Sequence, residues 1–228
     1  MRKENREAVN DRFLQELDKH KIIAILRGVE SKYLLPTVEA LCEGGLRMVE
    51  VALPDAEYHP ERYEDTLKGI CALKEGFGEQ VYLGAGTVVT TQQAREAAQS
   101  GAGYLIAPNF DPEVVACAID LGCVPLPGVF TPSEIVAAVK AGAPAVKLFP
   151  AGNMGPDYLK AIRAPLPDLK IIAVGGIKPE NMDSYMKAGA AGIGMGGALC
   201  DRGAIRAGDW GKLRRSAQEL VRILKENN

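Results

Sequence analysis

Lys147 lies inside a short apolar segment, where a charged side chain is unusual. Residues 145–150 read AVKLFP and follow the helix-ending Gly142, which predicts a buried strand. Burial disfavours the charged form of lysine, and the resulting neutral amine can attack a carbonyl group to form a Schiff base. The segment alone is equally compatible with a lysine at a strand edge or in a structural ion pair.

Glu50 is a second charge in an apolar segment, residues 48–53 (MVEVAL). A carboxyl group beside an amine in a dry pocket can transfer the protons of carbinolamine formation, dehydration and enamine protonation. The pair predicts a metal-free, Schiff-base lyase that acts on a 2-keto acid. The alternative is a structural buried ion pair. Because such a pair contributes little to stability, two buried charges at one site favour a functional role.

Glycine-rich segments follow three predicted strands, at 84–87 (GAGT), 175–176 (GG) and 194–197 (GMGG). In barrel enzymes the loops after strands seven and eight commonly bind phosphate through backbone N–H groups. The residues predicted to bind such an anion are Gly175, Gly176, Gly196 and Gly197. Thr87 is predicted either to bind a substrate carboxylate or to cap the next helix.

The elements that must position these residues form a repeating pattern. Eight short apolar segments read as strands buried on both faces, at 22–26, 47–51, 81–83, 104–106, 123–126, 145–148, 170–174 and 191–194. Helical patterns lie at 3–19, 33–42, 64–74, 91–99, 112–120, 132–140, 179–188 and 210–225. Several helices end at a glycine such as Gly122 or Gly142, as left-handed terminators do.

This pattern predicts a single domain over residues 1–228, a (β/α)8 TIM barrel with an extra N-terminal helix. The alternative is an open doubly wound sheet. In a barrel, Glu50 on the second strand lies opposite Lys147 on the sixth, so both side chains can reach one central site.

The composition limits the possible partners. The net charge of −2 provides no basic field for nucleic acid or a membrane surface, and no apolar run is long enough to span a bilayer. Residues 1–10 lack the apolar region of a signal peptide, and five cysteines without C-x-x-C spacing are typical of reduced thiols in a cytoplasmic protein. The two distant histidines exclude a histidine-rich metal site but not one built mainly of carboxylates. We therefore expect a small-molecule 2-keto acid as the partner, with no cofactor and no metal.

The ordered motifs resemble the 2-keto-3-deoxy-6-phosphogluconate (KDPG) and 4-hydroxy-2-oxoglutarate (KHG) aldolases, from about residue 22 to residue 200. The matching segments are 24–28 (AILRG), 49–51 (VEV), 84–88 (GAGTV), 107–109 (APN), 127–128 (PG), 131–134 (TPSE), 147–151 (KLFPA), 155–156 (GP), 174–177 (VGGI) and 179–181 (PEN). The resemblance implies a class I aldolase on a (β/α)8 barrel, usually trimeric, that releases pyruvate and a small aldehyde from a sugar acid.

The resemblance also implies roles for individual residues. Lys147 corresponds to the Schiff-base lysine and Glu50 to the general acid/base. Thr87 corresponds to a ligand of the pyruvate carboxylate, and Arg27 to an arginine that can serve the substrate carboxylate. The implied pocket walls are Pro108 and Phe149.

Three positions depart from the family pattern. Pro54 stands where many KDPG aldolases have an arginine. Val174 replaces a threonine, as in the related 6-phosphogalactonate aldolases. Gly197 replaces a serine whose hydroxyl binds phosphate, so the sequence is also compatible with an unphosphorylated or shorter substrate.

A longer loop, predicted over residues 54–62, places Asp55, Glu57, His59 and Arg62 near the mouth, where solvated charges are the favoured interpretation. Two further alternatives are a metal-dependent barrel pyruvate aldolase and a non-catalytic sugar-phosphate-binding barrel.

Overall fold

The computed structural model describes the backbone of residues 3–226 and the side chains of residues 4–226. Its strands are β1 Ile22–Arg27, β2 Met48–Ala52, β3 Tyr82–Gly86, β4 Tyr104–Ile106, β5 Val124–Leu126, β6 Gly128–Val129, β7 Val146–Leu148, β8 Ile171–Val174 and β9 Gly192–Met195. Its helices are α1 Lys3–His20, α2 Ser31–Glu43, α3 Pro60–Phe77, α4 Thr91–Gln99, α5 Pro112–Asp120, α6 Pro132–Ala141, α7 Pro156–Arg163, α8 Pro179–Lys187, α9 Arg202–Ala207 and α10 Trp210–Glu226, with a 3-10 turn at Ala151–Asn153.

The strands pair in parallel in the order β5-β4-β3-β2-β1-β9-β8-β7-β6. β5 and β6 are one stretch of chain interrupted at Pro127, which has no N–H to donate to a ladder. The N–H of Lys147 donates to the carbonyl of Pro127 (2.9 Å), and the N–H of Ala107 donates to the carbonyl of Leu126 (3.2 Å). The stretch thus joins β4 to β7 and closes the ring. The predicted TIM barrel is confirmed, and the open doubly wound sheet is wrong.

Two apolar layers surround the strands. Alternate strand residues, among them Ile23, Ile25 and Met48, form a cluster inside the barrel, and their neighbours pack against the outer helices. Phe13 and Leu17 of α1 are fully buried in the inner cluster. The predicted N-terminal helix therefore closes the end of the barrel at which the strands begin, and leaves the site to the opposite end.

Several details differ from the sequence-based prediction. α7 and α9 were not predicted, because eight and six residues give too few turns for a clear helical period. α3 begins at Pro60, so Arg62 lies on its first turn and the loop before it is shorter than predicted. The terminator glycines were predicted correctly, since Gly122 and Gly142 have φ of 79° and 103°. No helix within residues 3–226 is both long and apolar enough to cross a bilayer.

Candidate active site

Lys147 and Glu50 both point into the barrel. On β2 the flanking Val49 and Val51 belong to the outer layer, as do Val146 and Leu148 beside Lys147 on β7. Side chains alternate along a strand, so the two charged residues face the interior. They are 3% and 1% exposed, respectively. The sequence correctly singled them out as buried charges, and the barrel directs both towards its axis.

The Glu50 carboxyl group lies against Gly86, the last residue of β3. A Cβ atom at that position would overlap Oε1 of Glu50. Neither carboxyl oxygen has a hydrogen-bond partner among the described residues. Burial raises the pKa of Glu50, although the charges of Lys147 and Arg27 oppose the shift. A protonated or poorly solvated carboxyl group in this position is available to exchange protons with a ligand.

The Lys147 amine is held in an apolar setting. Its Nζ lies 4.7 Å from the ring centroid of Phe149. Burial lowers the pKa of Lys147 and the positive charge of Arg27 lowers it further, whereas Glu50 acts in the opposite direction. No ion pair within 4.0 Å joins Lys147 to Glu50 in the described part of the chain, which leaves the amine free of a direct carboxylate contact.

Tyr104 forms the floor below Glu50, and sequence reasoning missed this role. The register aligns Glu50 with Gly84 and Gly84 with Tyr104, and the tyrosine ring occupies the space that a side chain on Gly84 would fill. Its hydroxyl donates to the carbonyl of Val49 at 2.8 Å. Burial raises the pKa of Tyr104 well above its usual range, and the Glu50 charge adds to the shift, so the phenol stays neutral. The pairing register needed to see this contact is not readable from the chain alone.

Thr87 follows β3 with a φ of 62° and is half-buried. A β-branched residue in the left-handed region is strained by about 1–3 kcal/mol. The alternative prediction for Thr87, a helix cap, is wrong: Thr90 caps α4, and its hydroxyl accepts from the N–H of Gln93 at 3.1 Å. The sequence held this signal, because Thr90 and Gln93 have capping-box spacing.

One cavity of about 320 Å³ brings together most of the predicted binding residues. Its lining includes Arg27, Phe149, Gly175, Gly176, Gly196 and Gly197, together with Lys178, which sequence reasoning did not single out. Gly175 and Gly176 have φ of 89° and 75°, which only glycine adopts readily. Gly197 faces open space, with no atom within 4 Å of the position of a Cβ.

Pro108 follows β4 and does not line this cavity. Its backbone packs against Gly128, which is paired in register with Lys147. The structure thus places Pro108 next to the strand neighbour of the lysine, and Thr87 at the end of the strand beside Glu50. The two lie on the other side of the mouth from the glycine loops.

Within residues 4–226, no group of three or more histidine, cysteine, aspartate or glutamate side chains is arranged to hold a metal ion.

Comparisons with known proteins show which proteins the chain resembles. Residues 14–216 match the family model for KDPG and KHG aldolase. The 2-dehydro-3-deoxy-6-phosphogalactonate aldolase of Escherichia coli (strain K12) is 35% identical over 213 residues, covering 93% of this chain and 97% of that protein.

Solved structures are similar as well. Native KDPGal superimposes with a TM-score of 0.81 and 33% identity, over 90% of this chain and 95% of the other. The KDPG aldolase of Legionella pneumophila, with pyruvate captured as a covalent carbinolamine intermediate, gives a TM-score of 0.82 and 26% identity, over 91% and 97% of the two chains.

Proposed function

The chain belongs to the KDPG and KHG aldolase family, and from this membership we propose that it cleaves a 2-keto-3-deoxy-6-phospho sugar acid to pyruvate and glyceraldehyde 3-phosphate through a Schiff base. The named relatives are aldolases, and the chain is an aldehyde-lyase of carbohydrate metabolism. The proposal adds the covalent mechanism, the substrate and the residues that act.

The observation that carries the mechanism is the buried pair formed by Lys147 and Glu50. Burial lowers the pKa of Lys147 and raises that of Glu50, which favours the neutral form of each group. A neutral Lys147 can attack C2 of the keto acid, and Glu50 can protonate the carbinolamine hydroxyl so that it leaves as water. The capture of pyruvate as a carbinolamine in the Legionella pneumophila relative supports the same chemistry here.

The cleavage step follows from the iminium. Glu50, now a carboxylate, takes the proton of the C4 hydroxyl, the C3–C4 bond breaks, and its electron pair moves through C3 to the iminium nitrogen, giving an enamine. The aldehyde leaves. Glu50 returns the proton to C3 of the enamine, and water hydrolyses the resulting imine to pyruvate and free Lys147.

Binding roles are proposed for the remaining residues. Arg27 and Thr87 bind the carboxylate of the pyruvate half, and the walls of the pocket are Phe149 and Pro108. The backbone N–H groups of the glycine loops bind the phosphate; these residues are Gly175, Gly176, Gly196 and Gly197.

The galacto epimer is the preferred substrate in this proposal. The relatives named 2-dehydro-3-deoxy-6-phosphogalactonate aldolase are 35% and 39% identical to the chain, and Val174 agrees with that branch. Val174 lines the cavity beside Gly175, and in this proposal it contacts the bound sugar acid.

A second candidate rests on Gly197, which has open space around it and no hydroxyl for phosphate. It is an aldolase of 4-hydroxy-2-oxoglutarate or of an unphosphorylated 2-keto-3-deoxy sugar acid. We also propose one domain over residues 1–228, from the strand–helix pattern, and a cytoplasmic location, from the cysteines. From resemblance alone we propose a homotrimer, which light scattering of the purified protein tests.

Pyruvate release from a panel of substrates tests the proposed function. The panel contains both 6-phospho epimers, their unphosphorylated forms and 4-hydroxy-2-oxoglutarate. We expect the highest kcat/KM for the phosphorylated galacto epimer, with turnover retained in EDTA and lost in Lys147→Ala but not in Lys160→Ala on α7. Failure to release pyruvate from every compound would contradict the proposal, and the highest kcat/KM on an unphosphorylated acid would favour the second candidate.

A further inference from the structure

Three arginines share a second cavity at the mouth of the barrel, which we call the arginine pocket. It has a volume of about 200 Å³ and lies beside the ends of β1 and β2. Arg27 ends β1, Arg62 lies on the first turn of α3, and Arg202 begins α9. All three arginines line the cavity.

Gly28 brings two of the guanidinium groups together. Its φ is 66°, in the left-handed region that favours glycine. Nη2 of Arg62 and Nη1 of Arg202 each lie 3.5 Å from the point that a Cβ atom would occupy. The two nitrogens are therefore no more than about 7 Å apart, which is close enough for one phosphate group to contact both.

The two carboxylates that line the arginine pocket, Glu30 and Asp65, make their close contacts with other groups. Glu30 forms an ion pair with Lys32 at 2.8 Å. Asp65 accepts hydrogen bonds from the N–H (2.9 Å) and the hydroxyl (2.5 Å) of Ser31.

Arg27, Arg62 and Arg202 themselves have no side-chain hydrogen bond and no ion pair with any side chain of residues 4–226. The arginine pocket therefore offers three unpaired cations to a ligand.

We propose that the arginine pocket is a second anion-binding site, for a phosphate group. Guanidinium groups bind phosphate through paired N–H donors. Arg27 also lines the cavity of the glycine loops, so an anion in the arginine pocket lies next to the bound sugar acid. The anion is either the phosphate of the substrate, bound here instead of at the glycine loops, which rests on the proposed function, or a free anion from solution, which does not.

Calorimetric titration with inorganic phosphate at low salt tests the site. The test variants are Arg62→Gln and Arg202→Gln, and the matched control is Arg206→Gln, an exposed arginine on the same α9 that does not line the arginine pocket. Loss of one charge-assisted contact should weaken phosphate binding about ten- to a hundredfold. The control should bind as the wild type does. A wild type that binds no phosphate, or test variants that bind it unchanged, would overturn the proposal.

Kinetics with phosphorylated and unphosphorylated forms of one sugar acid identify the source of the anion. A rise in KM confined to the phosphorylated form in both test variants assigns the site to the end group of the substrate. Weaker phosphate binding with unchanged kcat/KM on both forms assigns it to a free anion. Equal losses on the two forms would indicate a structural defect and overturn the proposal.

Trapping pyruvate on the wild-type protein with borohydride separates this inference from the proposed function. A wild type that forms no adduct contradicts the Schiff-base mechanism. The phosphate titration tests separately whether the arginine pocket binds an anion.

Discussion

Burial acts in opposite directions on the two charged residues at the centre of the barrel. It lowers the pKa of Lys147 and raises that of Glu50, and the missing direct ion pair leaves both groups without the contact that would restore their charges. Such an arrangement destabilises the folded protein and is expected where a neutral amine and a proton-donating carboxyl group are needed.

The variant Glu50→Gln separates the proton-transfer role from the fold. Glutamine has nearly the same shape but cannot exchange protons, so kcat should fall by about 10²–10⁴-fold. The far-UV circular dichroism spectrum should stay unchanged. A steady-state assay of pyruvate release checks the prediction, with Glu219→Gln on the exposed face of α10 as control. A near-normal kcat in Glu50→Gln would refute the role.

The raised pKa of Glu50 also predicts how its substitution affects stability at different pH. Below the ordinary value of 4.5, the carboxyl group is protonated in both the folded and unfolded states, and glutamine should be equivalent. As pH rises above that value, only the unfolded state ionises readily, so the wild type loses stability relative to Glu50→Gln until the folded-state pKa is passed. Each unit of pKa difference corresponds to about 1.4 kcal/mol.

Urea unfolding of both proteins at about pH 4 and pH 7 measures this difference. The variant should gain stability over the wild type only at the higher pH, and Glu219→Gln should show a smaller difference. A larger advantage at the lower pH would mean that Glu50 is stabilised as a carboxylate in the folded protein, contrary to the burial argument.

Sequence reasoning worked best for residues whose environment is set by their own strand. Lys147 and Glu50 stand between apolar neighbours, and strand alternation alone directs them inwards. It could not find Tyr104 or Lys178, because their places in the site depend on strand register and on loop paths. Arg62 is exposed, as the sequence suggested, but it lies on the first turn of α3, near Gly28 and Arg202, and not in a loop.

At the scale of elements, glycines in β3 make room for side chains of the strands on either side, β2 and β4. Gly84 leaves room for the ring of Tyr104, and Gly86 leaves room for the carboxyl group of Glu50. The sequence indicated a glycine-rich strand end. The prediction placed Gly84 and Gly86 after the strand, whereas both lie within β3 and make space for side chains of the adjacent strands.

Replacement Gly86→Ala should therefore disturb the site from within β3. The added methyl group overlaps Oε1 of Glu50, so the carboxyl group must move; we expect about 1–3 kcal/mol of destabilisation and a lower kcat. Gly103→Ala is the control, because its Cβ atom would meet only the Leu83 carbonyl oxygen at an ordinary 3.6 Å. Urea unfolding and kcat measure both effects. Wild-type kcat in Gly86→Ala would show that the carboxyl position is unimportant.

At the scale of the whole molecule, the barrel is closed at one end and open at the other. α1 closes the end where the strands begin, and Leu17 packs so tightly there that a side chain on Gly192 would collide with it. The repeated strand–helix pattern was enough to predict this architecture. It could not predict that Pro127 divides the fifth strand into β5 and β6, since the pattern of apolar residues continues across the break.

Because stability and catalysis lie at opposite ends, Leu17→Ala should affect them differently. Removing a fully buried leucine side chain should cost about 2–5 kcal/mol of unfolding free energy. The kcat of the remaining folded enzyme should change little, and Gln15→Ala on the exposed face of α1 should change neither quantity. Urea unfolding and pyruvate release measure the two effects, and a large loss of kcat with unchanged stability would contradict this division.

Borohydride reduction in the presence of pyruvate tests the central claim most directly. The Schiff-base account predicts a stable adduct whose mass is that of the chain plus reduced pyruvate, mapped by peptide mass spectrometry to Lys147. The adduct should be absent from Lys147→Ala and present in Lys160→Ala. An unmodified wild-type chain, or an adduct that persists in Lys147→Ala, would contradict the account.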